Sequence, residues 1–525
     1  MQKIQTLIVE LKKLFSVSGK AAFIFTVVVG LITHLSIMIL QPEQADSIIS
    51  AGFFKAGEYQ LYSQGRWGTN LLNCFRGYLV IPTLTVLITI LSISLAAVLL
   101  ADLFDISNKL FAAMIGAALV VHPYIANAMF YYAISGTFIY ALCVISVWLL
   151  YRKNMNLFYI MLSVFLEVIC LSYNQAYLCV FTTLGLMMFA IDLLKGKNLK
   201  ESFRYLGYSV IACALSGALY FVIWKFLSKI HHITYFYGMS SEFSAGQVFR
   251  KLPQSIINTY RAFCDYFFGN SFINNSFWNR ELIYGLLFVI LLVLFCIIVR
   301  INKLKYVNRT VLVCTLLVMP IALSVIQIVV TDYAFYLMMA TGFLFIIPFF
   351  CKVIDLCDLQ TGFVRVIKGI AMVTVGLVLW TYILSDNAGY MLLNQTTNQS
   401  KQLAERLLYQ IETFEGFDSE MEVCFIGDLN EAYFATSDVL SMASPGGTFN
   451  NKGVWFGVWE VSDGWGKYIE QYCGVKLNYL TNGSQERIRT LTATDAFKEL
   501  DIYPSDHSLE IIDGTLVVKL GEFVY

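Results

Sequence analysis

Glu43 and Asp46 lie three residues apart in Gln41-Pro42-Glu43-Gln44-Ala45-Asp46-Ser47-Ile48, directly after an apolar run that ends at Leu40. If a helix starts near Pro42, that spacing puts both carboxylates on one face. A carboxylate where an apolar phase meets water suits a general base for a hydroxyl nucleophile. The same acids also suit a helix cap or a solvated surface. Gly65-Arg66-Trp67-Gly68 offers a planar guanidinium fork for a phosphate and an indole face for a sugar, or else a pair of interfacial anchors. Glu167 sits inside an apolar stretch, where an ionisable group marks either a cavity or an interhelical hydrogen bond. Tyr173-Asn174-Gln175-Ala176-Tyr177 follows as a polar cluster, with Tyr173 and Gln175 the candidates for substrate contact, and His122-Pro123-Tyr124 occupies an equivalent position. Arg250 and Lys251 bring cations suited to a lipid phosphate or to anionic headgroups. His231-His232 reads as loop, because adjacent histidines point apart and no carboxylate neighbours them in the sequence.

The elements that position these residues are membrane helices. Of the 525 residues, 58% are hydrophobic and 14% charged, with a mean hydropathy of +0.66. Soluble proteins carry roughly 25% charge. Runs such as 21–40 and 282–299 are long enough to cross a bilayer, and further spans are expected near 79–101, 110–122, 136–151, 157–172, 175–194, 206–227, 310–330, 333–350 and 369–385, about eleven in all. Residues 1–20 read as an amphipathic helix on the cytoplasmic face, with Ile4, Leu7, Ile8, Leu11, Leu14 and Phe15 on one side. No compact basic patch with interleaved aromatics is present, which argues against a nucleic-acid partner.

Charge placement sets the expected topology. Arg152, Lys195, Lys197, Arg204, Arg300, Lys305, Lys352 and Arg365 fall in alternate connections, while the opposite short connections carry no lysine or arginine. The positive-inside rule then places the N-terminus in the cytoplasm and, for an odd number of spans, the C-terminus outside. Two long outer loops follow, 41–78 and 228–280, and loops of that length in a compact protein are usually functional or disordered; their aromatics and scattered basic residues argue against disorder. The expected organisation is a surface helix (1–20), a membrane body (21–385) and a small extracytoplasmic α/β domain (386–525).

That last segment holds 21 acidic and 9 basic residues. It shows helical periodicity over 400–413, a buried strand over 422–426, a helix over 465–472 and a hairpin over 509–520 turning at Asp513-Gly514. Trp455, Trp459 and Trp465 are candidates for contact with a glycan or for the domain core. Most of the 12 cysteines lie in apolar spans and read as small core residues, whereas Cys424 and Cys473 share the tail and could pair if it faces an oxidising compartment, although spacing does not fix connectivity.

A first span, then Asp46-Ser47-Ile48, then Gly65-Arg66-Trp67 resembles the bacterial membrane glucosyltransferases typified by phage-encoded O-antigen glucosyltransferases. The 123–132 stretch, the Tyr173–Tyr177 cluster and the Tyr503-Pro504 to Leu520 ending are similar to parts of that family, the last to its long Gram-positive members. The resemblance implies a GT-C type fold and a cytoplasmic-membrane enzyme that moves a sugar, glucose by analogy, from a polyprenyl-phosphate donor to a cell-surface glycan such as O-antigen or teichoic acid. It implies Asp46 as the base of one inverting displacement, with Glu43 as an accessory or sugar contact and with Arg66, or Arg250 and Lys251, on the phosphate. The scheme requires no metal. A glycolipid flippase and a polymerase using a polyprenyl-diphosphate donor are the alternatives; the flippase would favour polar residues spread along several spans, whereas intramembrane charge here is nearly confined to Glu167.

Overall fold

The computed structural model describes residues 14–42, 53–131, 135–152, 155–233, 245–329, 335–357, 361–427, 429, 437–445 and 461–522. Glu43 and Asp46, most of the 1–20 segment, Trp455 and Trp459 lie outside the described residues.

The chain is mostly helical, and among the described residues seven helices are long and apolar enough to cross a membrane: Val17–Leu40, Pro82–Leu103, Gln175–Leu194, Leu199–Ile230, Phe277–Ile301, Tyr306–Leu323 and Gly362–Glu412. An eighth crossing forms if Lys109–Val120 and Pro123–Phe130, bent by 43°, count as one. The spans expected at 136–151 and 157–172 are the shorter helices Ile139–Leu150 and Leu157–Tyr173. The span expected at 333–350 is instead two 3-10 turns followed by Ile346–Leu356. Among the described residues the first helix starts at Val17, capped by Ser16, whose hydroxyl accepts from the Gly19 N–H at 3.3 Å. The end of the expected surface helix is therefore already part of the first span.

These helices are patterned for lipid. Leu199–Ile230 buries Ser202, Ser209, Ala212, Ser216, Tyr220, Trp224 and Ser228 along one stripe. Its opposite side exposes Val210, Ile211, Leu215, Leu219, Val222 and Phe226. Small and polar residues face the bundle because apolar residues gain nothing by leaving lipid, and close approach with hydrogen bonding drives association instead. Asn108, Asn156 and Asn198 cap the N-termini of three helices with their side-chain oxygens. At the same end, Lys195 pairs with Asp105 at 2.9 Å and Lys197 with Asp192 at 2.8 Å, while Lys352 donates to the Asp105 carbonyl at 2.9 Å. Leu157–Tyr173 leaves this basic end and carries Tyr173 to the other, about 25 Å away at 1.5 Å per residue.

The 228–280 connection is not a loop throughout. Ala245–Phe268 is a helix whose buried residues Ser255, Thr259, Ala262 and Tyr266 recur every three to four positions. Arg250 and Lys251 are exposed on it.

Gly362–Glu412 is one helix of 51 residues, so the chain runs unbroken through the boundary expected at 385. Its last turns bury Leu403, Leu407 and Ile411 against a four-stranded sheet ordered β2-β1-β4-β3, with β1 Glu422–Ile426, β2 Asn478–Tyr479, β3 Leu509–Ile512 and β4 Thr515–Lys519. β1 is parallel to β2 and β4, and β3 is antiparallel to β4 through the Asp513-Gly514 turn, where both residues have positive φ. Val461–Cys473 packs on the same side as the long helix, and Ile488, Leu491 and Phe497 cover the other. Strand alternation puts Val423 and Phe425 on the first face and Cys424 and Ile426 on the second. Cys473 packs against the first face, so Cys424 and Cys473 are both free.

Candidate functional site

The Gly-Arg-Trp-Gly stretch is stitched to three helices at the end of the bundle opposite the paired lysines. Gln175 donates through Nε2 to the Gln64 carbonyl at 2.6 Å and to the Tyr220 hydroxyl at 2.7 Å. Tyr220 in turn donates to the Gly65 carbonyl at 3.0 Å. Trp224 Nε1 donates to the Tyr62 carbonyl, and the Gly68 N–H to the Ser172 carbonyl at 3.0 Å. Glycine is required at both ends of this motif. Gly65 has φ +69°, and a Cβ on Gly68 would stand 1.9 Å from Ser172 Oγ. Trp67 then stacks on Tyr220, with ring centroids 6.4 Å apart and planes 16° from parallel.

Beyond Gly68 the chain forms the short helix Thr69–Asn73 and a 3-10 turn over Cys74–Arg76. Thr69, Asn73 and Arg76 recur at spacings of four and three, and all three are buried. Tyr173 donates to Asn73 Oδ1 at 3.4 Å and lies within electrostatic reach of both Arg66 and Arg76. Arg76 Nη1 donates to the Ser135 carbonyl at 2.7 Å. Withdrawal from water pushes the Arg76 guanidinium below its ordinary range, because a buried cation lacks the solvation that stabilises its charge.

Donors are in excess here. Among the described residues Arg66 Nε, Trp67 Nε1, Thr69 Oγ1 and Asn73 Nδ2 are buried without a hydrogen-bond partner, as is one acceptor, Gln64 Oε1. Each such group costs about 1–3 kcal/mol if left unmade. A ligand rich in acceptor oxygens, above all a phosphate beside two guanidinium groups, satisfies that set.

Arg66, Trp67, Tyr173 and Gln175 are therefore brought together. Glu167 faces elsewhere: it is buried in the bundle, accepting from Ser216 Oγ at 2.7 Å and from Ser163 Oγ at 3.4 Å. Arg250 and Lys251 sit on the exposed side of their helix. His231 does have a carboxylate neighbour, Glu58 at 3.5 Å, and stacks on Tyr62 with centroids 3.9 Å apart. Sequence reasoning missed Thr69, Asn73, Arg76 and Tyr220; the signal was polar residues at helical spacing within otherwise apolar segments.

The flanks of the 43–52 segment are held close to this site. Thr83 Oγ1 donates to the Met38 carbonyl at 3.4 Å, and the Phe54 N–H donates to the Tyr78 carbonyl at 2.7 Å, two residues past Arg76.

Residues 35–347, more than half of the chain and including the whole Arg66–Arg76 site, match the family described as Glucosyl transferase GtrII. No curated protein and no solved structure matches the chain.

Proposed function

The chain belongs to the Glucosyl transferase GtrII family, and from that premise we propose that it moves glucose from a polyprenyl-phosphate donor to a cell-surface glycan at the outer face of a bacterial cytoplasmic membrane. The observation that carries this reading is the donor-rich cluster of Arg66, Trp67, Thr69 and Asn73 beside buried Arg76. A phosphate supplies the oxygens that these groups lack, and the apolar flanks of the bundle suit a polyprenyl chain. The gathering of basic residues at the far end supports an outer position for the site.

In this reading Asp46 is the base. Its carboxylate takes the proton of the acceptor hydroxyl as that oxygen attacks the anomeric carbon. The bond from that carbon to the phosphate oxygen breaks, and polyprenyl phosphate leaves with its growing charge met by Arg66 and Arg76. One displacement inverts the anomeric centre. Glu43 is the accessory acid, and Trp67, Tyr173 and Gln175 border the sugar. The GT-C type of fold and the role of the tail as a holder of the acceptor belong to the same proposal.

The test uses purified protein and its Asp46→Asn variant with polyprenyl-phosphate-glucose and a cell-wall glycan extract. Release of polyprenyl phosphate by the wild type, lost in a variant that melts normally, is the expected result. Equal release by both removes Asp46 from the mechanism. No release from this donor, with an extract known to accept sugar, overturns the donor assignment.

A further inference from the structure

A second buried polar cluster lies where the membrane body meets the tail. Arg280 and Asp386 are each 0% exposed. Arg280 Nε and Nη1 and both carboxyl oxygens of Asp386 have no hydrogen-bond partner among the described residues. Only Arg280 Nη2 is used, donating to the Asn274 carbonyl at 2.6 Å. Around them Tyr284 donates to the Tyr382 hydroxyl at 2.6 Å, and the Tyr382 and Tyr266 hydroxyls are 3.3 Å apart. His122 closes the group: its Nδ1 accepts from the Tyr124 N–H at 3.1 Å, which leaves Nε2 as the protonated nitrogen, 2.6 Å from the Tyr266 hydroxyl.

The unmatched atoms specify a ligand. Two carboxyl oxygens and two guanidinium nitrogens lie here without partners among the described residues, with tyrosine hydroxyls able to play either part. A metal cation is opposed by Arg280. A neutral group carrying neighbouring hydroxyls suits both, since each hydroxyl donates to the carboxylate or accepts from the guanidinium. Aromatic faces complete the walls: Phe277 lies 5.8 Å from the Arg280 guanidinium, and Phe343 packs against Tyr266 with centroids 4.4 Å apart. Part of the cover comes from the tail. Ser385 Oγ donates to the Ala443 carbonyl at 2.6 Å, and Ile273 pairs with Pro445.

We propose that Arg280, Asp386 and the tyrosines about them form a binding site for a pyranose ring, separate from the Arg66–Arg76 cluster and opened by movement of the 437–445 segment. That this ring belongs to the acceptor glycan rests on the transferase reading; the binding itself does not.

Saturation-transfer NMR on the full chain in detergent, with methyl β-D-glucopyranoside as probe, tests the site. Transfer to the ring protons is expected for the wild type, with at least a five-fold loss in Asp386→Asn. If Asp386→Asn fails to fold, Tyr382→Phe, which keeps the ring and removes one hydroxyl, is expected to show a smaller loss, and wild-type transfer there overturns the proposal. No transfer in the wild type, or equal transfer in a folded Asp386→Asn, also overturns it and leaves bridging water as the occupant. Sugar binding without polyprenyl phosphate release would sink the transferase reading alone, whereas release without sugar binding would sink this site alone.

Discussion

The Tyr220 hydroxyl reaches 155 residues back along the chain to donate to the Gly65 carbonyl at 3.0 Å. This bond fixes the backbone turn from which Arg66 and Trp67 project, and Gly65 holds the turn at φ +69°. In Gly65→Ala the new methyl would stand 2.3 Å from the Tyr220 oxygen and 2.6 Å from Gln175 Nε2. Left-handed strain alone costs about 1–3 kcal/mol. We expect a lower melting temperature in detergent and a several-fold weaker interaction with a polyprenyl-phosphate sugar. Tyr220→Phe, which loses the hydrogen bonds but keeps the stack on Trp67, should fall between the two. A Gly65→Ala protein that melts and binds like the wild type would refute the role given to this turn.

Glu167 gives the opposite expectation. Its oxygens accept from Ser216 and Ser163, which lie on two packed helices, and the side chain is 1% exposed. Glu167→Gln keeps an acceptor oxygen in the same volume, so transfer should remain within about two-fold of the wild type, consistent with interhelical hydrogen bonds averaging about 0.6 kcal/mol. Glu167→Ala removes the contact between the two helices, leaves Ser163 and Ser216 only the Ser146 and Cys213 carbonyls, opens a gap, and should lower the melting temperature. A large loss of turnover in a stable Glu167→Gln would return this carboxyl to the substrate.

What the sequence revealed follows from which forces are local. Strand 422–426 and the hairpin turn at Asp513-Gly514 were legible because alternation and turn chemistry are written within a few residues. The surface helix at 245–268 lay hidden in a long connection, since its buried stripe of Ser255, Thr259, Ala262 and Tyr266 is largely polar. Arg66, Tyr173 and Gln175 were found through their neighbours in the chain. Arg76, Asn73 and Tyr220 were not, because only tertiary packing brings residues 147 positions apart, such as Asn73 and Tyr220, to one cluster. Arg280 and Asp386 went unread for the same reason: each looks like a boundary charge until the fold removes both from water.

Cys424 and Cys473 provide a test of the tail. The parallel pairing of β1 with β4 directs Cys424 toward Leu491 and Phe497, whereas Cys473 packs with the helices on the opposite face. A disulfide tolerates Cα atoms only about 4.4–6.8 Å apart, and a strand cannot turn one residue over without slipping its register. Thiol alkylation after unfolding without reductant should therefore label both cysteines. Protection of the pair, released by reductant, would show that the sheet is assembled differently.

Arg66 and Arg250 separate two origins of donor affinity. Arg66 belongs to the cluster whose Nε, indole and amide donors await an acceptor, while Arg250 lies on the exposed face of its helix beside Lys251. A hydrogen bond to a charged group contributes about 1.5–3 kcal/mol, equivalent to roughly 10–100-fold in affinity. Arg66→Gln should raise the KM for a polyprenyl-phosphate sugar by that order in any membrane. Arg250→Gln with Lys251→Gln should leave KM nearly unchanged in neutral bilayers and alter it only where anionic lipid is present, since exposed cations act through the surface potential. The comparison is made in nanodiscs of phosphatidylcholine with and without phosphatidylglycerol. If the exposed pair controls KM in neutral lipid and Arg66 does not, the phosphate is held by the 245–268 helix, and the cluster beside Tyr173 has another task.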